Sequence, residues 1–369
     1  MIGTPDAKGA FASSVHRPGG GLDWWLLGSA AVLLFLGLAA IHSIDISRTT
    51  APFMFKQLLW AFIGVGALVV CASITQRAWM RWAPVLYTLS VASLLAVLLI
   101  GKNTKGATRW IEVGPLQFQP SEMAKVLLII TLATYFTKRQ AEVKDFKTFF
   151  GSLLHVAPVA GLVLMQPHLA GCLSLIMIWL AISLYAGVPW KFVLGTGVAV
   201  ACLCSVALFT PGVLPPYMQG RVYALTHPDP KKNTYQQDRA KIAFGVGGLT
   251  GVGYGHGEQK AARNIPEQQN DFIFTVIGEE GGLVGAGLTL AAFVFFFFRV
   301  WLVGYRSVEP FGQMLSAGVL AVLGFHTIIN LGMNVGILPV AGLWLPFISY
   351  GGTALWMCMA CVGLLVGAK

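Results

Sequence analysis

The sequence predicts an all-α polytopic membrane protein of about ten transmembrane helices with one large extracytoplasmic loop. Three observations lead there. Of 369 residues, 56% are hydrophobic and only 11% charged, whereas soluble domains carry about 25% charged residues. Uncharged apolar runs recur at lengths that match a bilayer. The cations gather on alternate connections between those runs, which is the pattern that sets membrane orientation. The same composition excludes fibrous, disordered, disulfide-rich and nucleic-acid-binding classes, because the surplus of 25 Lys+Arg over 15 Asp+Glu reads as loop charge.

A bilayer core of about 30 Å takes roughly 20 apolar residues of helix. Trp24 to Ile44, Gln57 to Gln76 and Trp82 to Gly101 each supply that length without an internal charge. A fourth run carries Glu122 and Lys125 in its first turns and continues to Thr137. Thr148 to Trp190 is uncharged but interrupted by Gln166-Pro167; proline has no N–H and clashes with the preceding turn, so the run divides into two spans. Phe192 to Thr210 is the seventh, Phe272 to Phe298 the eighth, and the uncharged stretch Pro310 to Ala368 holds the last two.

With the N-terminus placed inside, ten spans put both ends in the cytoplasm. The inner segments then collect twelve cations, among them Arg77, Arg81, Lys138, Arg139, Arg299 and Arg306, against five in the short outer loops: Arg48, Lys56, Lys102, Lys105 and Arg109. This favours a membrane protein with both termini cytoplasmic. Residues 1–22 are polar and Gly-rich, with no cleavage site behind an apolar core, so they read as a cytoplasmic tail. Residues 23–369 read as a single membrane domain, whose segment 211–271, between spans seven and eight, is the extracytoplasmic loop and is too long for a mere connector.

Cysteine and glycine motifs carry little chemistry. All six cysteines fall in apolar spans, and Cys358-Met-Ala-Cys361 has redox spacing but no second ligand pair, so packing explains it. Gly245-Val-Gly-Gly248 and Gly251-Val-Gly-Tyr-Gly255 lack the strand-to-helix context of a phosphate cradle and suit a tight, surface-hugging loop.

The informative polar residues lie toward the outer face. Lys102 to Glu122 reads as an amphipathic loop in which Arg109-Trp110 precedes a Gly114-Pro115 turn, and Gln119-Pro120-Ser121-Glu122 opens a helix. Glu122 suits a helix N-terminus equally well as a functional site, and Lys125 shares its face. Asp271 before Phe-Ile-Phe has the form of an N-cap. Glu279 and Glu280 fall about 12 Å further along that helix and need partners or water. His326, Asn330 and Asn334 form one stripe on the ninth span that offers such partners, although interhelical hydrogen bonding alone also justifies it.

Taken in order, several strings resemble the SEDS family (shape, elongation, division and sporulation). They are Gly106-Ala-Thr-Arg109-Trp110, Phe118-Gln-Pro-Ser-Glu122 with Lys125, Ile265-Pro-Glu267-Gln-Gln-Asn-Asp271, Gly278-Glu-Glu280, and Gly336-Ile-Leu-Pro339 through Leu345-Pro-Phe-Ile-Ser349-Tyr-Gly-Gly352. The resemblance runs from about residue 24 to the C-terminus and lies closer to the elongation branch than to the division branch. Departures are His168 in Gln166-Pro-His168-Leu-Ala170, where the family usually has Asp, Arg239-Ala240 before Lys241 in place of Gln-Ser, and Asn270 in place of Thr.

The resemblance implies a peptidoglycan glycosyltransferase that polymerises lipid II and releases undecaprenyl diphosphate in cell-wall elongation. It works beside a class B penicillin-binding transpeptidase in the elongation complex, with no nucleic-acid partner. It implies Asp271 as the essential loop acid, and Arg109, Glu122, Lys125, Arg221, Lys241, Glu267 and Glu280 as substrate-binding residues. A carboxylate that takes the attacking hydroxyl's proton contributes about 10²–10⁴-fold, and arginine's planar fork suits the departing diphosphate. The resemblance fixes no cofactor; a divalent cation, Mg2+ or Mn2+, beside the diphosphate stays open. So do two other classes: a lipid II flippase or transporter, which uses similar broken helices, and a catalytically silent scaffold for the transpeptidase.

Overall fold

The structure, a computed structural model, describes residues 22–47, 53–104, 107–113, 116–198, 235–262 and 264–368. Helix α1 (Trp24–Ile46) starts on Asp23, whose side chain accepts the Leu26 N–H at 3.0 Å. Helices α2 (Phe53–Ser73) and α3 (Gln76–Ile100) follow, the latter capped by Thr75. Helix α4 (Pro120–Thr137) is apolar almost all round and buried along its length, which makes it the pillar of the bundle. Next come α5 (Phe146–Met165), α6 (Leu169–Ala186) and a helix, α7, described over 190–198. After it come α8 (Tyr235–Gly247), the short α9 (Glu258–Ala261), α10 (Ile273–Arg306), α11 (Pro310–Asn334) and α12 (Gly352–Val366).

The expected all-α membrane architecture is recovered. Among the described residues, seven helices have the length and hydropathy to cross a bilayer: α1, α2, α3, α5, α6, α10 and α11. Helix α4 carries Glu122 and Lys125, α12 has 15 residues, and α7 leaves the described residues before its length is complete. Residues 211–234 of the segment expected to be extracytoplasmic, Arg221 among them, lie outside the described residues.

Two segments differ from expectation. Lys102 to Phe118 is not a loop: β1 (Lys102–Thr104), β2 (Ala107–Val113) and β3 (Leu116–Phe118) form an antiparallel sheet in that order. Thr108, Trp110, Ile111 and Val113 give β2 the β-branched and aromatic content of a strand. Helix α10 is also broken, at Gly282 (φ 60°, ψ −158°). The break frees backbone groups on both sides, and the Gly-rich segment after α8 takes them up. Val252 and Gly253 donate to the carbonyls of Glu279 and Glu280, each at 3.1 Å, while Leu283 and Val284 donate to those of Gly248 and Leu249 at 2.9 and 3.1 Å. Gly251 (φ +80°) is required there, since a Cβ would stand 2.0 Å from the Glu280 carbonyl oxygen.

One face of the bundle gathers Asp23 bonded to Arg299, Gln76 bonded to the Ala368 carbonyl at 2.8 Å, and Ser307 on the same carbonyl. The small sheet, the start of α4 and the approach to α10 lie together at the other end, around one cavity.

Candidate active site

The cavity has a volume of about 290 Å³, and Arg109, Trp110, Glu122, His168, Glu267 and Asp271 all line it. Trp60, Trp344 and Tyr350 add aromatic walls. Burial, reinforced by the Asp45 carboxylate, pushes the Tyr350 phenol up to about 12, so it remains a hydroxyl at ordinary pH.

Asp271 is not the N-cap that its sequence position suggests. Helix α10 begins at Ile273, the cap position is Phe272, and no side chain caps it. The carboxylate instead borders the cavity, where a Cβ on Gly342 would stand 3.7 Å from Oδ2. Glu267, at φ 52°, turns the chain just before it, and its Oε2 accepts from the Asn270 amide at 3.0 Å.

Arg109 projects from β2 to the break between α5 and α6. Its Nε donates to the Gln166 carbonyl at 3.0 Å and an Nη donates to the Pro167 carbonyl. The guanidinium thus holds the carbonyls that the proline break frees while lining the cavity. His168 stands one residue on, at the N-cap position of α6.

Glu122 reaches the cavity wall, but Lys125 stands one layer behind it. The ammonium, 0% exposed, donates to Glu122 Oε1 at 2.8 Å and Oε2 at 3.0 Å and lies 3.1 Å from His326 Nε2. An ammonium only donates, so this imidazole nitrogen accepts and the ring is neutral. Lys125 is therefore paired inside the bundle and does not itself line the cavity. His326 also lies 3.2 Å from Ser174 Oγ and packs on Trp344.

The stripe on α11 serves partners other than those expected. Asn330 and Asn334 donate to the Asp271 carbonyl at 2.8 and 3.0 Å, while His326 serves Lys125. Glu280 is held by Lys260 and by Ser43 of α1 at 2.6 Å, and Glu279 accepts the Gln259 N–H at 2.7 Å. Glu280 does not line this cavity but a second, smaller one, with Tyr254, Val276 and Ile277. Lys241 is exposed, lies over Gly336 and is 3.9 Å from Asp238, and it does not line the cavity either. His168, the aromatic walls and Thr353 were not singled out as site residues from sequence. The signal for Tyr350 was present in the Ser349-Tyr-Gly-Gly352 string, which carries the family resemblance without indicating a role, and Thr353 follows that string directly.

In chemical terms the cavity offers carboxylates at Asp271, Glu267 and Glu122, a planar cation at Arg109 and apolar walls that limit water.

The profile of the FTSW_RODA_SPOVE family, described as "Cell cycle protein", matches residues 22–369. Among curated proteins, the chain is 37% identical over 361 residues to the probable peptidoglycan glycosyltransferase FtsW of Pseudomonas fluorescens, covering 94% of this chain and 87% of that protein. It is 34% identical over 368 residues to the peptidoglycan glycosyltransferase MrdB of Escherichia coli K12, covering 99% and 96%. A solved structure described as "Structural coordination of polymerization and crosslinking by a peptidoglycan synthase complex" matches with TM-score 0.80 at 28% identity, covering 94% of this chain and 97% of the other. The rod shape determining protein RodA of Thermus thermophilus matches with TM-score 0.71 at 26% identity, covering 94% and 96%.

Proposed function

The chain belongs to the FtsW/RodA/SpoVE family of cell cycle proteins, and on that premise we propose how its cavity carries out glycosyl transfer. The protein is a multi-pass membrane peptidoglycan glycosyltransferase with a role in cell shape. The proposed reaction polymerises lipid II. A sugar hydroxyl of one molecule attacks the anomeric carbon of another, a new C–O bond forms, and the bond to undecaprenyl diphosphate breaks with its electron pair leaving on the diphosphate. Asp271 accepts the hydroxyl proton. Arg109 faces the departing phosphate oxygens, and Glu122 and Glu267 orient polar groups of the sugars.

The observation that carries this reading is the convergence of Asp271, Glu267, Arg109 and Glu122 on one cavity from separate parts of the chain. At about 290 Å³ the cavity accommodates the reacting centre, and the remaining glycan, peptide and lipid extend beyond it. Among the described residues, no group of three or more His, Cys, Asp or Glu is placed to hold a metal ion.

A class B penicillin-binding transpeptidase is the proposed partner, supported by the likeness to a synthase complex that couples polymerisation and crosslinking. The proposed setting is the bacterial inner membrane with both termini cytoplasmic, supported by Arg299 and Arg306 at the face opposite the cavity. The α11 stripe, polar groups of a kind a transporter would also use, is here engaged with Lys125 and with the Asp271 backbone carbonyl. Reconstitution of the full chain with lipid II, with and without its transpeptidase, tests the proposal. Glycan polymer is expected; lipid movement across the bilayer without polymer would contradict it.

A further inference from the structure

Three consecutive backbone carbonyls lead up to the Asp271 side chain, and each meets a different donor. Gln269 O accepts the Tyr350 N–H at 2.9 Å, Asn270 O accepts from Ser349 Oγ at 2.5 Å, and Asp271 O accepts from the amides of Asn330 and Asn334. The side-chain donors are buried: Asn330 and Asn334 are 0% exposed and Ser349 is 4%. Asn330 also donates to the Leu343 carbonyl at 2.7 Å. Asp271 and Leu343 both line the cavity, so a single amide ties two of its walls together. Ser349 Oγ in turn accepts the Leu345 N–H at 2.8 Å, which fixes the hydroxyl from the other side. None of the three side chains lines the cavity.

We propose that Asn330, Asn334 and Ser349 are positioning residues that hold the backbone of Gln269-Asn270-Asp271, so that the Asp271 carboxylate keeps its place in the cavity. The inference rests on Asp271 being the base. Because misplacing a reacting group by about 1 Å costs on the order of 10²-fold in rate, residues that never meet substrate control turnover here. The stripe that sequence reading assigns to interhelical packing thereby gains a specific role, since its amides fasten the loop that carries the base to the helix beneath it.

A double-mutant cycle in the full chain, reconstituted with its transpeptidase and supplied with lipid II, tests this. Ser349→Ala and Asn330→Ala are each expected to lower kcat by about tenfold or more with KM for lipid II unchanged. Ser349→Thr, which keeps the hydroxyl, is expected to recover most of the rate. In the Asp271→Asn background the same substitutions should leave the residual rate unchanged, since no base remains to be aimed. Equal losses in both backgrounds would overturn the positioning role and reduce these residues to scaffold. A wild-type rate in Asp271→Asn alone would instead overturn the base assignment beneath it. Asn330→Ala strips donors from two carbonyls, so thermal midpoints accompany every rate; if that variant fails to fold, Ser349→Ala and its Thr counterpart carry the same cycle.

Discussion

Arg109 serves two partners with one guanidinium. Its fork secures the Gln166 and Pro167 carbonyls, which a proline break leaves without helical donors, and it also lines the cavity. Lysine retains the charge but cannot reach two carbonyls with a planar pair of N–H groups. Arg109→Lys should therefore lower lipid II polymerisation by about tenfold, and Arg109→Ala by more, at matched membrane levels; wild-type rates in both variants would remove Arg109 from the site. At this scale much of the site was legible: Arg109, Glu122, Glu267 and Asp271 were all named from sequence, and all line the cavity. What the sequence left open was how each side chain is used. An Asp two residues before a helix looks like a cap, and only the start of α10 at Ile273 with Phe272 at the cap position removes that reading. A Lys three residues after a Glu looks available to a ligand, and only burial and the His326 contact show it to be paired inside.

At the scale of elements, the break in α10 turns two apparently costly intramembrane carboxylates into anchors. Glu279 and Glu280 lie just before Gly282, where the Gly-rich segment and α9 dock, and Lys260 of α9 bonds both Glu280 and Ser43 of α1. Three elements thus meet on one buried ion pair. Removing one member of such a pair costs about 3–5 kcal/mol, whereas replacing both with apolar groups is close to neutral. Lys260→Met should accordingly lower the thermal midpoint in detergent or nanodiscs by several degrees, and Lys260→Met combined with Glu280→Met should recover much of the loss; a single variant that melts like wild type would show that the pair is not a tie. The sequence displays Gly281-Gly282 and the Gly-rich run but not that they meet, because contact between segments some thirty residues apart leaves no local pattern. The β1–β3 sheet was missed for a related reason: three-residue strands are too short to show alternation.

For the whole molecule, length and charge, quantities that sequence carries directly, give the expected spans and the proposed orientation, and seven of the described helices have the length and hydropathy of a span. In a background without reactive cysteines, Glu258→Cys should react with an impermeant thiol reagent in intact cells and Lys144→Cys only after permeabilisation; both positions are exposed, and labelling of position 144 from outside would reverse the proposed orientation. The central claim is that this membrane bundle holds one carboxylate, Asp271, where it takes a proton from a sugar hydroxyl, and one substitution tests it most directly. Asn keeps the shape and most of the hydrogen bonding while removing proton affinity, so Asp271→Asn in the full chain, reconstituted with its transpeptidase and lipid II, should fold, melt and pair like wild type yet lose about 10²-fold or more in polymerisation rate. Glycan synthesis at the wild-type rate by a well-folded Asp271→Asn protein would contradict it.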